Sequence, residues 1–322
     1  MALMKATYEP LRCKFCGSSA VVRYGKQGSI NYWWCKACRR KFADNDALPF
    51  MRTPLNQIGS ALSSYYEGMS LASIRRHLAQ MYENTPSKST LYAWLTDFTQ
   101  LGIEKAKGYR PDVGSVWVAD ETMLRIGGKW VWFWDIIDAR TRFLLASYIS
   151  TNRTAQNARI LMEKAALKAG GNPRTVITDK LSAYLDGIEL AFGADAKHIQ
   201  SKPFTVENST NVIERFHGTL KGRTKVMRGI KTLPTARLLT DGYLVFYNYF
   251  RPHESLNDRT PAQTAGVRFP YLNWLDLVKA QGEPMPLPSS RVSLGRPHST
   301  LSHDKPCGEQ CSKNWKAKNT RC

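Results

Sequence analysis

SKPFTVENSTNVIERFHGTLKGRTKVMR, residues 201–228, is the stretch from which the other elements take their meaning. Val212, Phe216 and Leu220 recur at four-residue steps, the spacing of a buried helix stripe, whereas Glu207, Asn211, Glu214, Gly218 and Lys221 fall on another face. A polar helix face is ordinarily just solvated. Two earlier acids give this one a different reading. Asp120 ends the apolar run Ser115-Val116-Trp117-Val118-Ala119, and Asp179 ends Thr175-Val176-Ile177-Thr178, so each stands at the tip of a predicted strand; Glu214 follows Asp179 by 35 positions. Three carboxylates delivered by two strand ends and a helix suit a pair of divalent cations about 3.5–4 Å apart, which acidic oxygens must neutralise.

The neighbouring pattern supplies the sheet. Predicted strands Ser115–Ile126, Lys129–Asp138 and Arg142–Ser150 are joined by Gly127-Gly128 and by Ala139-Arg140-Thr141, turn chemistry of an antiparallel meander. Helical spacing over Thr154–Ala169, a strand at Thr175–Thr178, a helix at Leu181–Phe192, a strand at Ala196–Gln200 and the Glu214 helix follow. Three antiparallel strands and then alternating helix and strand describe a mixed five-stranded α/β sheet with flanking helices, the plan of an RNase H-like fold. Strand alternation points Glu121 away from Asp120, which makes it a poor metal ligand. Asp135, Asp138, Asp186, Glu189 and Asp195 read as surface or turn acids, and Glu207 as a helix-start acid that suits the dipole.

Ahead of the sheet, Cys13-x-x-Cys16 and Cys35-x-x-Cys38 enclose 18 residues, the spacing of a four-thiolate Zn²⁺ site, and the strand-like segments between them make residues 1–48 a zinc ribbon. Over 49–101 the apolar spacing turns helical in three short pieces, a helix-turn-helix pattern whose third helix would enter the major groove with Lys88, Ser89 and Tyr92. A Gly- and Pro-containing linker is expected at 102–113, the catalytic domain at 114–270, and a basic, disordered tail at 271–322. Cys307, Cys311, His298 and His303 in that tail lack the compact scaffold of a zinc site.

Composition narrows the partners. A formal net charge of +20 on 322 residues points to a polyanion, most simply nucleic acid. No apolar run is long enough to span a bilayer, and the opening residues lack a signal-peptide layout, so a cytoplasmic, nucleoid-associated protein without a membrane partner is expected. Seven cysteines, four of them in two CxxC pairs, favour metal binding over a disulfide framework.

Asp120-Glu121-Thr122 with Gly128-Lys129-Trp130, Thr178-Asp179-Lys180, Asn211-Val212-Ile213-Glu214-Arg215-Phe216, Lys221, Tyr247-Asn248, Arg251-Pro252-His253 and Thr260-Pro261 resemble the DDE transposases of small prokaryotic insertion sequences, relatives of retroviral integrases. The likeness covers about 115–267, and the ribbon and helical segment resemble the DNA-binding front ends of such elements less specifically. It implies that Asp120, Asp179 and Glu214 are the triad holding Mg²⁺ or Mn²⁺, and that Lys221 contacts DNA. It also implies that double-stranded element ends and target are the substrates and that at least a homodimer forms at synapsis. His217 receives no role from it. A nuclease that cuts without joining, and a DNA-binding regulator that keeps the fold as scaffold, remain alternatives on sequence alone.

Overall fold

The computed structural model describes residues 11–201, 210–227 and 229–281. Glu207 and the tail Cys and His residues lie outside them. In chain order, β1 (Val21–Gln27), β2 (Ile30–Cys35) and β3 (Arg40–Ala43) form a three-stranded antiparallel sheet. Its small core is Cys13, Cys35 and Phe42, so little apolar surface is buried there.

Three helices follow: α1 (Leu55–Tyr66), α2 (Leu71–Tyr82) and α3 (Lys88–Lys107). Ser70 and Ser87 cap α2 and α3, their hydroxyls accepting from the amides of Ser73 and Thr90 at 3.1 and 3.0 Å. The linker expected from residue 102 begins later, because α3 continues to Lys107. Gly102 is helical and buried, and a methyl group there would meet the Trp274 ring at 3.2 Å; tertiary packing overrides the glycine's weak helix propensity.

The second sheet contains β4 (Val116–Ile126), β5 (Lys129–Asp138), β6 (Leu144–Ser150), β7 (Thr175–Thr178) and β8 (Lys197–Gln200), in the order β6-β5-β4-β7-β8. The meander β4-β5-β6 is antiparallel, and β7 and β8 add in parallel, as the pattern predicts. Gly127 and Gly128 both take positive φ, 58° and 81°, the requirement of a two-residue type I′ hairpin. That turn fixes the register, which sets Asp120 opposite Asp135 and Glu121 opposite Trp134. Helices α4 (Ala155–Ala169), α5 (Ser182–Phe192), α6 (Asn211–Val226) and α7 (Leu233–Val245) cover the sheet. Trp134 meets Tyr184 of α5 edge-on at 5.5 Å while its neighbour Asp135 bonds His217 of α6, so α5 and α6 lie on opposite faces.

After α7 a five-residue π turn, Phe246–Phe250, buries Tyr247, Asn248 and Tyr249, and the Asn248 amide pairs with both backbone groups of Leu144 at 2.8 and 2.9 Å. Short α8 (Pro261–Thr264) precedes α9 (Trp274–Gln281). Helix α9 occupies part of the expected disordered tail. Trp274, Leu277 and Val278 are buried, and Trp274 stacks on Tyr66 of α1 at 4.7 Å; three apolar residues at helical spacing outweigh the polar composition beyond them. The described residues belong to a single packed unit. None of their helices is long and apolar enough to cross a membrane.

Candidate active site

Parallel pairing of β4 with β7 builds the site. Val118 stands beside Ile177, so the next two positions on each strand bring Asp120 alongside Asp179. Strand β7 stops at Thr178, which leaves the β4 edge open where the two carboxylates lie. The Leu181 amide donates to Asp179 Oδ1 at 2.9 Å and the Glu121 amide to Asp120 Oδ1 at 2.9 Å.

Glu121 lies nearer the two aspartates than strand alternation suggests. Ligand atoms of Asp120, Glu121 and Asp179 all lie within 4.8 Å of one another. The alternation itself holds, because Glu121 shares a pleat face with Trp134 and Asp120 with Asp135. Between Val118 and the Ile126–Ile230 bridge, however, β4 has no strand partner on this side, and the longer glutamate side chain reaches the open edge. Arg153 Nη1 bonds Glu121 Oε1 at 3.1 Å, and Oε2 is buried without a hydrogen-bond partner among the described residues.

Glu214 falls outside that three-carboxylate group. It lies exposed in the first turn of α6, where its Oε1 accepts from Thr210 Oγ1 at 2.8 Å. One turn later His217 is buried, with Nε2 at 2.7 Å from Asp135 Oδ1 and Nδ1 at 3.5 Å from Asp120 Oδ2. The buried stripe of α6 is Ile213, Phe216, His217 and Leu220, with Val212 only half-buried. Asp135 is 0% exposed, so it is neither a surface nor a turn acid. Asp138 does serve the turn after β5, accepting from Gly114 N and from Thr141 N and Oγ1.

Burial pushes the Asp120 carboxyl up to about 7; the nearby His217 charge opposes this and Asp135 adds to it. Burial alone would lower His217, but the charge and hydrogen bond of Asp135, with the charge of Asp120, raise it. Burial and the charge of Asp179 raise Glu121. Asp120 and Asp179, acceptor-only oxygens brought together at an open strand edge with the Asp120 carboxyl desolvated, are what a divalent cation would compensate, so the donor set fits Mg²⁺ or Mn²⁺.

Two functional neighbours, Asp135 and His217, escaped the sequence reading. The signal was present, since the Gly127-Gly128 turn dictates the Asp120–Asp135 pairing and His217 lies three residues past Glu214.

The other sequence-derived residues also have places. Cys13 and Cys38 sulfurs lie 3.6 Å apart, as do those of Cys16 and Cys35, near the about 3.8 Å edge of a tetrahedron with 2.3 Å Zn–S bonds. Lys88 and Tyr92 line a cleft between α2, α3 and α7, and the Tyr92 hydroxyl is 3.5 Å from Thr235 Oγ1. Ser89 is exposed on the first turn of α3. Lys221 lines a second cleft beside Glu121.

A family model described as a DDE domain, DDE_Tnp_IS240, matches residues 114–253. The transposase for insertion sequence-like element IS431mec of Staphylococcus aureus is 27% identical over 147 residues, 45% of this chain and 63% of the relative. The transposase for insertion sequence element IS257 in transposon Tn4003, also from Staphylococcus aureus, matches to the same extent. The chain thus spans 63% of the length of the curated relatives it matches. Among solved structures, the HTLV-2 integrase catalytic core domain in complex with magnesium is similar with a TM-score of 0.39 and 17% identity, over 48% of this chain and 97% of that one. The BIV integrase core gives 0.34 and 14%, over 46% of this chain and 92% of that one. Residues 114–253 thus match a DDE domain model, and the curated relatives aligned with this chain are insertion-sequence transposases.

Proposed function

We propose that this chain is a metal-dependent DDE transposase that cleaves DNA strands at the ends of an insertion sequence and joins them to target DNA. The observation that carries the reading is the register-imposed meeting of Asp120 and Asp179 at an open strand edge, inside a matched DDE domain and a chain of net charge +20. Asp120 and Asp179 would hold the divalent cations together with Glu214, whose helix already touches Asp120 through His217. Bound there, such ions lower the pKa of an attacking hydroxyl and neutralise charge on the leaving 3′-oxygen.

The chain's own residues do the rest. His217 holds Asp120 from behind, anchored in turn by Asp135. Lys221 stands seven residues past Glu214 beside the same edge, where it would neutralise a phosphate of the reacting strand. The cleft bearing Lys88 and Tyr92 also presents Arg76 and Lys231 without an acid among its lining residues, which suits the DNA backbone near α3. The four cysteines would bind a structural Zn²⁺. Two element ends must be held together for joining, so at least a dimer acts on the DNA, in the cytoplasm at the nucleoid.

The test incubates the full chain with labelled DNA from both flanks of its gene in Mg²⁺ or Mn²⁺, against Asp120→Asn. Discrete nicks and joined products from the wild type alone support the reading. Binding without reaction by either protein would replace it with a regulator, and cutting without joining with a nuclease.

A further inference from the structure

A cleft of about 700 Å³ opens between the distal half of the β4–β5 hairpin and the C-terminal half of α6. The register explains how Trp130 and Trp132 come to line it along the β4 edge. Glu121 stands opposite Trp134, Met123 opposite Trp132 and Arg125 opposite Trp130, so three indoles follow one another along a single pleat face toward the hairpin tip. Trp134 is fully buried against Tyr184, and Trp132 is half-buried beneath the Arg153 guanidinium at 4.0 Å. Trp130, the last of the series, is 62% exposed.

The cleft's charges state what it would accept. Arg125, Lys221 and Lys225 line it, and its sole acid, Glu121, is already paired with Arg153 at 3.1 Å. An apolar protein surface docking here would desolvate three cations without compensation. A nucleotide offers both a flat apolar face for the indole and a phosphate for the cations. Location adds a second argument. Glu121 belongs to the carboxylate cluster, and Arg125 lies four residues further along β4, about 13 Å at 3.3 Å per residue. That is about four base steps of one DNA strand.

We propose that Trp130, which stands opposite Arg125 and lines the same cleft as Lys221, is a stacking platform for an unpaired nucleotide of the DNA strand whose phosphate lies at the carboxylates. The proposal rests on the DNA-strand reading above and goes further, because bases inside a duplex stack on one another and present no free face. The platform therefore selects an opened or single-stranded end.

The experiment uses the full chain in an Asp120→Asn background, so that no chemistry is required. Two labelled oligonucleotides are compared, a duplex end and the same end with a few unpaired 3′ nucleotides. Trp130→Ala should weaken binding of the overhang by roughly 5- to 100-fold and of the duplex by less than about 2-fold, with Trp130→Phe retaining most of the affinity. 5-Iodouracil placed in the overhang should photocrosslink to Trp130. Equal losses on both oligonucleotides, no loss, or no crosslink would overturn the platform; so would a shift of Trp130→Ala to a smaller species in sedimentation, which would mark a contact between protein chains. A wild type that neither cuts nor joins while the crosslink persists would remove the transposase reading and leave the platform standing.

Discussion

His217 and Asp135 are 82 residues apart in the chain and 2.7 Å apart in the fold, and the same imidazole approaches Asp120 at 3.5 Å with its other nitrogen. Helix α6 is thereby bound to the two central strands through the buried His217 and Asp135 and a partly exposed Asp120. Asp135→Asn should leave His217 buried without its charge partner and destabilise the chain by about 3–5 kcal/mol, read from urea unfolding. Adding His217→Gln should cost about 1–3 kcal/mol less than the two separate effects summed. Additive costs would show that the contact carries no coupling.

The third carboxylate is open to a direct contest. Asp120→Asn and Asp179→Asn should each lower strand cleavage by about 10³-fold or more, the scale of losing a preorganised electrostatic stabiliser. Glu214→Gln should do the same, whereas Glu121→Gln, whose carboxylate is occupied by Arg153, should cost less than about 10-fold. Mn²⁺ titration of the same variants gives the second readout. The reverse ranking would make Glu121 the third ligand.

Much of this architecture is legible in the amino-acid sequence. Strand runs, the Gly127-Gly128 turn and the CxxC pairs are local signals, and each appears where the sequence places it. What escaped depends on contacts between distant segments. Gly102 reads as a breaker until Trp274 packs on it, and α9 reads as tail until Tyr66 receives its indole. Glu121 obeys alternation and still reaches Asp179, because the open edge is set by where β7 ends. Asp135 reads as one surface acid among several, although the hairpin register alone puts it against Asp120.

The ribbon should depend on its metal. With a core of Cys13, Cys35 and Phe42 only, burial cannot hold it, and the cysteine sulfurs already stand at tetrahedral spacing. Purified protein should contain one zinc per chain by elemental analysis, and Cys35→Ser should lose it together with the near-ultraviolet signal of Trp33 and Trp34. The helices and the large sheet, which share none of that small core, should keep their far-ultraviolet spectrum. Unchanged zinc content in Cys35→Ser would rule out the four-thiolate site.

Gly242 reports on how the front helices join the elements that cover the large sheet. It lies on α7 where α1 and α3 press closest, and a methyl group added there would meet Thr99 Cγ2 and Tyr66 Oη, on two side chains already joined by a 2.6 Å hydrogen bond between Tyr66 Oη and Thr99 Oγ1. Neither is the loose end of a flexible chain, so the helices must separate. Gly242→Ala should destabilise by about 1–3 kcal/mol, against a small gain expected at an open helical glycine such as Gly218. Equal effects at the two positions would show that α7 and α3 are free to move apart.

His253 sets a stability dependence on pH with a definite sign. Its ring packs edge-on to Tyr247 at 4.6 Å, and burial, aided by the charges of Arg251 and Arg142, lowers its pKa to about 4 from 6.5. The unfolded chain therefore takes up a proton below pH 6.5 that the folded chain refuses, so this group's contribution is constant above that value and is lost as pH falls toward 4, by at most about 1.4 kcal/mol per unit. Asp120 acts in the opposite sense, because a folded pKa of about 7 adds stability as pH drops below it. The two slopes overlap in the wild type, and the comparison with His253→Asn separates them. Between pH 6.5 and 5 the wild type should lose about 1 kcal/mol relative to the variant, a figure reduced for the ring's partial solvent contact. Parallel urea midpoints for the two proteins across that range would show that the histidine titrates as it does in water.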